Sequence, residues 1–113
     1  MKLDSAVLYS NDINKAIEFY RDIIGLKVEY VEQEKYASFL FDNARLGVKK
    51  KVEKREIPGA QTIFIATDSI EKDYKRMIKE DVNFIKHMQV RPWGNEFSVV
   101  DPDGNKVEFI QRK

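Results

Sequence analysis

The chain has no cysteine, a single histidine and almost no net charge. Without cysteine it has no disulfide framework, no zinc–thiolate site and no cysteine nucleophile. Its 20 basic and 19 acidic residues give a charge of +1, so no long-range attraction to nucleic acid or an anionic membrane is built in. No apolar run approaches the roughly 20 residues of a membrane span, and Met1-Lys2-Leu3-Asp4 does not resemble a signal peptide. We expect a cytoplasmic protein with neither nucleic-acid nor membrane partners.

The composition that remains is that of one ordinary globular domain. Hydrophobic residues make up 42% of the 113 positions, aromatic residues 12% and charged residues 35%. A chain of this length can bury one real core and little more. We therefore predict a single domain spanning residues 1–113.

The same order of elements is predicted twice along the chain. Each half begins with a strand-like run, continues with an amphipathic helix and ends in three strand candidates. The helix starts, Ile13 and Ile70, differ by 70 − 13 = 57 positions, and the same offset places Ser5 opposite Thr62. We predict two βαβββ modules, about 1–52 and about 60–113.

Local signals mark the helix ends. Asp12 is one of several N-cap candidates for the first helix, and Gly25 is placed to end that helix. In the second half, Asp68 followed three residues later by Glu71 predicts a capping box. Between the halves, the basic segment 49–59 favours a solvated linker over a phosphate or nucleic-acid patch, because two glutamates interrupt it and no aromatic residues interleave with it.

The last turn and strand hold a candidate functional carboxylate. Asp101-Pro102-Asp103-Gly104-Asn105 is tight-turn chemistry, and the residues after it alternate polar and apolar as a half-buried strand does. Glu108 then points to the face opposite Val107 and Phe109. A carboxylate held at a fixed place on a sheet face is a candidate metal ligand.

Several motifs together resemble a known family. They are Glu18-Phe19-Tyr20 with Ile24-Gly25-Leu26, Trp93-Gly94 before the penultimate strand, and the 101–105 turn with Glu108. In this order they resemble the vicinal oxygen chelate superfamily, which includes glyoxalase I, extradiol dioxygenases and bleomycin-resistance proteins. The resemblance covers essentially the whole chain. It implies an α+β fold of two βαβββ modules whose curved mixed sheets surround a cleft, with helices on the outside, and a homodimer.

The resemblance also implies where a metal would be bound. The superfamily's ligands, usually His or Gln on each module's first strand and Glu on its last, fall at Ser5, Gly47, Thr62 and Glu108. Only Glu108 is a competent ligand for a divalent ion. We therefore expect no cofactor. The alternative is Ni, Zn, Mn or Fe held by Glu108 with atypical ligands, acting as a Lewis acid.

Other roles for Glu108 stay open. It is either a hydrogen-bond acceptor facing the cleft or half of a buried ion pair with Arg45 or Arg91. A one-residue slip would bring Asp4 or Gln61 to a ligand position, but it would turn the side chain to the other face of the strand.

Aromatic residues on or beside the predicted strands are candidates for lining an apolar cleft. With Glu108, the predicted site comprises Tyr36, Phe39, Phe41, Trp93 and Phe97. Trp93 lies in a predicted loop, where an indole can cover the mouth of a cavity. His87 lies on a strand that supplies no ligand in the superfamily, which favours a partly exposed strand histidine over a catalytic group.

Three functions are compatible with this pattern. The first is a metal-free protein of the bleomycin-resistance type that binds a small aromatic or amphipathic molecule, and we favour it because three of the four ligand positions are not competent. The second is a metal-dependent glyoxalase-like lyase or dioxygenase that uses Glu108. The third is a structural role with a filled cleft. Whether the chain is an enzyme stays open, with non-catalytic binding preferred.

Overall fold

The computed structural model describes residues 1–113 as two βαβββ modules. Module one contains β1 (Ser5–Ser10), α1 (Ile13–Ile17) continued by a π-helical segment (Glu18–Ile24), β2 (Lys27–Glu32), β3 (Tyr36–Leu40) and β4 (Arg45–Lys50). Module two contains β5 (Thr62–Ala66), α2 (Ile70–Lys79), β6 (Asn83–Arg91), β7 (Gly94–Val100) and β8 (Lys106–Arg112).

Each module folds into one mixed four-stranded sheet. The strand orders are β1-β4-β3-β2 and β5-β8-β7-β6. The first strand of each module pairs in parallel with its last strand, and the other pairs are antiparallel. The predicted α+β fold with duplicated modules is confirmed. Neither helix reaches the length and apolarity that crossing a bilayer requires.

The first helix begins as predicted and then widens. An Asp12 carboxylate oxygen accepts from the Lys15 amide at 3.2 Å, and Gly25 ends the helix in the left-handed region at φ 91°. Where one uniform helix was predicted, residues 18–24 form π-type turns. Each π residue rotates less about the axis than an α residue does, so the neighbouring Phe19 and Tyr20 are both buried in the core.

The second helix begins at Ile70, as predicted, but its N-terminus is capped differently from the prediction. No capping box forms: Ser69 is the N-cap residue and makes no side-chain cap bond. Gln111 of β8 caps the helix instead. Its side-chain oxygen accepts from the Ile70 amide at 3.0 Å, and its side-chain nitrogen donates to the Asp68 carbonyl at 3.0 Å. A tertiary contact has replaced the local cap that the sequence favours.

Both modules share one core. A single cluster of 18 buried residues contains side chains from both helices and from both sheets. The modules are joined where their helices meet, since Arg76 of α2 donates to the carbonyls of Ile23 and Ile24 at 3.2 and 2.8 Å. Each sheet therefore has one face against helices, while its alternate residues point to a second face that no helix covers.

Candidate ligand-binding faces

The uncovered faces of the two sheets carry equivalent rows of residues. In the first sheet, Gly47 lies between Val7 and Ser38 across the strands. In the second sheet, Glu108 lies between Phe64 and Ser98. The strand register thus makes Gly47 and Glu108 corresponding positions of the two modules, as the sequence alignment of the halves proposed.

The implied metal-ligand positions do not suit a divalent ion. Tyr36 leans over Gly47 so closely that a Cβ atom at Gly47 would collide with the tyrosine hydroxyl, so the phenol fills the space that a ligand side chain would need. Ser5 and Thr62 offer only hydroxyls, and no three His, Asp or Glu side chains of the chain come together. Glu108 is the sole carboxylate among the four positions, and one carboxylate does not hold an open-site metal.

Two tyrosines form an aromatic surface on the first sheet. The Tyr30 and Tyr36 rings stack with centroids 6.0 Å apart and planes at 16°. Tyr30 is 52% exposed. Burial, with smaller effects from Tyr30 and the acidic groups nearby, raises the pKa of the Tyr36 phenol, so this hydroxyl stays protonated and can donate at neutral pH.

The predicted arginine partners of Glu108 are bound to other carboxylates. Arg45 pairs with Glu29 at 2.8 Å, and Arg91 contacts Glu96 at 3.4 Å. The charged group nearest to Glu108 is the Lys106 amino group, two residues away on the same strand, at 3.4 Å. Neither candidate arginine pairs with Glu108, because pairing depends on which strands become neighbours.

A second carboxylate organises the far end of the second sheet. Glu96 is buried, and its carboxylate accepts hydrogen bonds from Lys86 at 3.1 Å, from Arg91 at 3.4 Å and from the Trp93 indole N–H at 3.5 Å. The Lys86 ammonium, with Trp93 and Arg91, keeps the pKa of Glu96 below its ordinary value. Trp93 lies in the β6–β7 turn and is 50% exposed, so an aromatic surface is available beside this cluster.

Two of the predicted cleft residues lie elsewhere. Phe39 and Phe97 are fully buried on the helix-facing side of their strands, so neither can touch a molecule on an uncovered face, and we leave both out of the site. Phe41 is half-buried beside the core and lines a groove of about 590 Å³ where β1 and β4 approach β5. Phe64, which is 65% exposed and lines the same groove, was missed.

His87 packs against the helix-facing aromatic residues. Its ring stacks on Phe84 with centroids 4.4 Å apart, and its Nδ1 lies 2.9 Å from the Tyr74 hydroxyl. This setting agrees with the strand-histidine interpretation, because no carboxylate or uncovered-face residue is among these contacts.

The basic segment between the modules is organised by one buried glutamate. Glu56 accepts from the Lys49 ammonium at 2.7 Å and from the Val52 and Glu53 amides at 2.9 and 3.1 Å. The Lys49 bond, followed by the two backbone bonds, lowers the pKa of Glu56 to about 2. The segment is thereby folded back on β4.

Glu56→Gln is expected to destabilise the protein at neutral pH and to have less effect in acid. Because the folded-state pKa lies below the ordinary 4.5, the stabilisation by Glu56 is complete above about pH 4.5 and disappears as the pH falls towards 2. Urea unfolding of wild type and variant at pH 7, 4 and 2.5 measures this difference. A gap between the two proteins that does not shrink with acid would contradict the prediction.

The Asp-Pro-Asp-Gly-Asn turn joins the two modules. Asp101 is buried and accepts the Tyr20 hydroxyl of module one at 2.7 Å. It also accepts the amides of Asp103 and Asn105 at 2.9 and 2.8 Å and the Asn105 side chain at 2.8 Å. The motif therefore serves the fold, and its carboxylate is not available to a ligand.

The chain belongs to a superfamily whose known members include both enzymes and binding proteins. Residues 2–109 match the model of the Glyoxalase/Bleomycin resistance protein/Dioxygenase superfamily, and membership is thereby shown. Among curated proteins, the uncharacterised protein YraH of Bacillus subtilis is 30% identical, and the alignment covers 98% of each chain.

Solved structures of both types, a binding protein and an enzyme, share the fold of this chain. TnmS3, an antibiotic binding protein from Streptomyces sp. CB03234, has a TM-score of 0.87 at 19% identity and covers 100% of this chain and 97% of its own. A lactoylglutathione lyase from Agrobacterium tumefaciens has a TM-score of 0.80 at 20% identity, with 96% and 91% covered. Such low identities show the fold alone, so the function must be argued from the site.

Proposed function

We propose that this protein binds a small aromatic or amphipathic molecule on its uncovered sheet faces without a resident metal ion. The observation that carries the proposal is the set of accessible rings on or beside those faces, namely the exposed Tyr30 stacked on the half-buried Tyr36 on the first sheet, and the exposed Phe64 and Trp93 on the second. Exposed planar rings beside a few fixed polar groups are the ordinary composition of a small-molecule site. At Gly47, the position equivalent to Glu108 in the other module, Tyr36 fills the space that a metal-binding side chain would need.

The proposed site is completed by a second copy of the chain. Salt-bridged groups on the first sheet and in the segments that directly flank it comprise three acidic and two basic residues: Asp4 before β1, Glu56 after β4, and Glu29, Arg45 and Lys49 on the strands. Those on the second sheet comprise two acidic and three basic residues: Glu96, Glu108, Lys86, Arg91 and Lys106. These opposite surpluses of charge favour a dimer in which the first sheet of one copy faces the second sheet of the other. Such a dimer would cover the exposed rings of both sheets.

The likeness to known proteins supports binding as one established use of this fold. TnmS3 is described as an antibiotic binding protein, and its fold extends over the whole of this chain. The lyase with the same fold supports lyase chemistry as the alternative, but the donor set of this chain does not favour a form of it that needs a metal ion.

The proposal is tested by titrating 6-methoxyquinoline, a neutral planar probe, into ¹⁵N-labelled protein and following the amide resonances. We expect shifts concentrated on the strands that carry the accessible rings and their neighbours, β5, β7 and β8 of the second sheet and β2 and β3 of the first. We also expect a dissociation constant that Phe64→Ala raises about fivefold, since the variant loses ring contact. Val90→Ala removes another exposed apolar side chain, one outside the proposed site, and should leave binding unchanged. EDTA should also have no effect. Sedimentation velocity on the same samples tests the dimer.

Other results would favour the competing functions. Stoichiometric metal with EDTA-sensitive binding would support a lyase or dioxygenase that uses Glu108. Absence of shifts at millimolar probe would support a structural role for the fold. Shifts confined to the helices would place the binding surface elsewhere.

A further inference from the structure

Four carboxylates on or beside the uncovered faces differ in how fully they are hydrogen-bonded. Glu29 accepts from Arg45 and Ser38, Glu56 from an ammonium and two amides, and Glu96 from three side chains. Glu108 has only the Lys106 contact at 3.4 Å, although its side chain is 7% exposed. A buried carboxylate ordinarily accepts several hydrogen bonds, so Glu108 has acceptor capacity that this chain does not use.

The hydroxyl beside Glu108 is also without a partner. Ser98 lies directly across from Glu108, is fully buried, and its Oγ has no hydrogen-bond partner. The corresponding Ser38 of module one donates to Glu29 at 2.8 Å. Two unsatisfied polar groups, one from each of two neighbouring strands, therefore meet at one point of the second sheet.

The surroundings define what these groups can recognise. Phe64 is the neighbour of Glu108 on β5, on the side opposite to Ser98, and it presents an exposed ring. The charge of Glu108 is already balanced by the nearby Lys106, and Lys86, across from Ser98, is balanced by Glu96. A neutral donor suits this point better than an ion, because an ammonium group would be placed beside Lys106 and an anion would be placed against the Glu108 carboxylate, each next to a like charge.

We infer that Glu108 and Ser98 anchor a neutral hydroxyl group of an aromatic ligand whose ring lies against Phe64. This inference rests on the proposed function and names the ligand class: a phenol or hydroxylated aromatic molecule, whose O–H donates to one oxygen of the Glu108 carboxylate. Ser98, whose hydroxyl is buried, supports the site from within the sheet by donating to that carboxylate oxygen. The ligand would thereby supply the hydrogen bonds that the folded chain leaves unmade.

The test compares matched probes by the same amide-shift titration. In wild type, 6-hydroxyquinoline is expected to bind about tenfold more tightly than 6-methoxyquinoline, since a bond from a hydroxyl to a carboxylate is charge-assisted. Glu108→Ala should reduce this preference to about one, and Ser98→Ala should reduce it partly. Glu96→Gln, which alters a buried carboxylate that already has three donors, should leave the preference intact. Each preference is a ratio within one folded variant, so differences in stability cancel.

The outcomes separate this inference from the proposed function. Equal binding of both probes at the sheet faces would overturn the hydroxyl anchor and leave the proposed function standing. Tighter binding of quinoline-6-carboxylate than of 6-hydroxyquinoline would also overturn it, and would point to the lysines instead. If neither neutral probe binds, the proposed function fails and the inference fails with it. A preference that survives in both Glu108→Ala and Ser98→Ala would place the hydroxyl elsewhere.

Discussion

Phe97→Ala is expected to lower the free energy of unfolding by about 4 kcal/mol, the usual cost of deleting a buried phenyl ring. Phe97 is fully buried, its ring stacks on Phe109 with centroids 4.8 Å apart and planes at 7°, and it lies 5.2 Å from the Tyr74 ring. Alanine would leave a cavity between β7, β8 and α2 that the packed neighbours cannot fill. Urea unfolding followed by circular dichroism measures the loss.

Phe64→Ala is the matched control, because it deletes the same side chain from an exposed position. Its expected cost is below about 1 kcal/mol, in keeping with surface substitutions. The two variants should also differ in probe binding, since only Phe64 lies on an uncovered face. A Phe97→Ala protein of wild-type stability with weakened probe binding would reverse the assignment and return Phe97 to the site.

The duplicated fold was predictable because its signals are local. Apolar spacing marks each helix, alternation marks each strand, and the 57-residue offset between Ile13 and Ile70 aligns the modules without any knowledge of contacts. Asp12 and Gly25 fixed the ends of the first helix by short-range chemistry. The start of α2 at Ile70 was predicted, but its cap was missed because Gln111, the residue that accepts from the Ile70 amide, is 41 positions away.

The lining of the site was predicted less well, although part of the signal was present. Phe39 alternates with Ser38, as Phe97 does with Ser98, and the serines mark the uncovered side of each strand. The same argument places Phe64, between Ile63 and Ile65, on that side. The prediction counted aromatic residues without asking which face of the strand each one occupies. It therefore included Phe39 and Phe97, which lie in the core, and omitted Phe64, which is exposed.

The partners of charged residues could not be predicted from the sequence. Arg45 and Arg91 each had several carboxylates to choose from, and the choice depends on register and on bulges in β2 and β6. Likewise, nothing local indicates that Tyr36 reaches over Gly47. These contacts decide whether a metal is held and which carboxylate is free, so the function is less visible in the sequence than the fold.

The second large effect is expected in the turn 101–105, which joins the two modules. Asp101→Ala is expected to cost about 3 to 5 kcal/mol, since it leaves the buried Tyr20 hydroxyl and the Asn105 donors without an acceptor. Burial, reinforced by Asp101, raises the pKa of the Tyr20 phenol far above its ordinary value, so the phenol remains a donor at any working pH. With a shift of roughly 4 °C per kcal/mol, the melting temperature should fall by about 15 °C.

Asp103→Ala provides the control within the same turn. The Asp103 carboxylate accepts one exposed bond, from the Asn11 amide at 2.8 Å, so its loss should cost about 1 kcal/mol or less. Tyr20→Phe should fall between the two variants, because it removes a single donor from Asp101 and leaves the turn intact. If Asp101→Ala and Asp103→Ala prove equally mild, the buried carboxylate does not hold the modules together. Metal-dependent stability that is lost only in Asp101→Ala would instead assign this turn a ligand role.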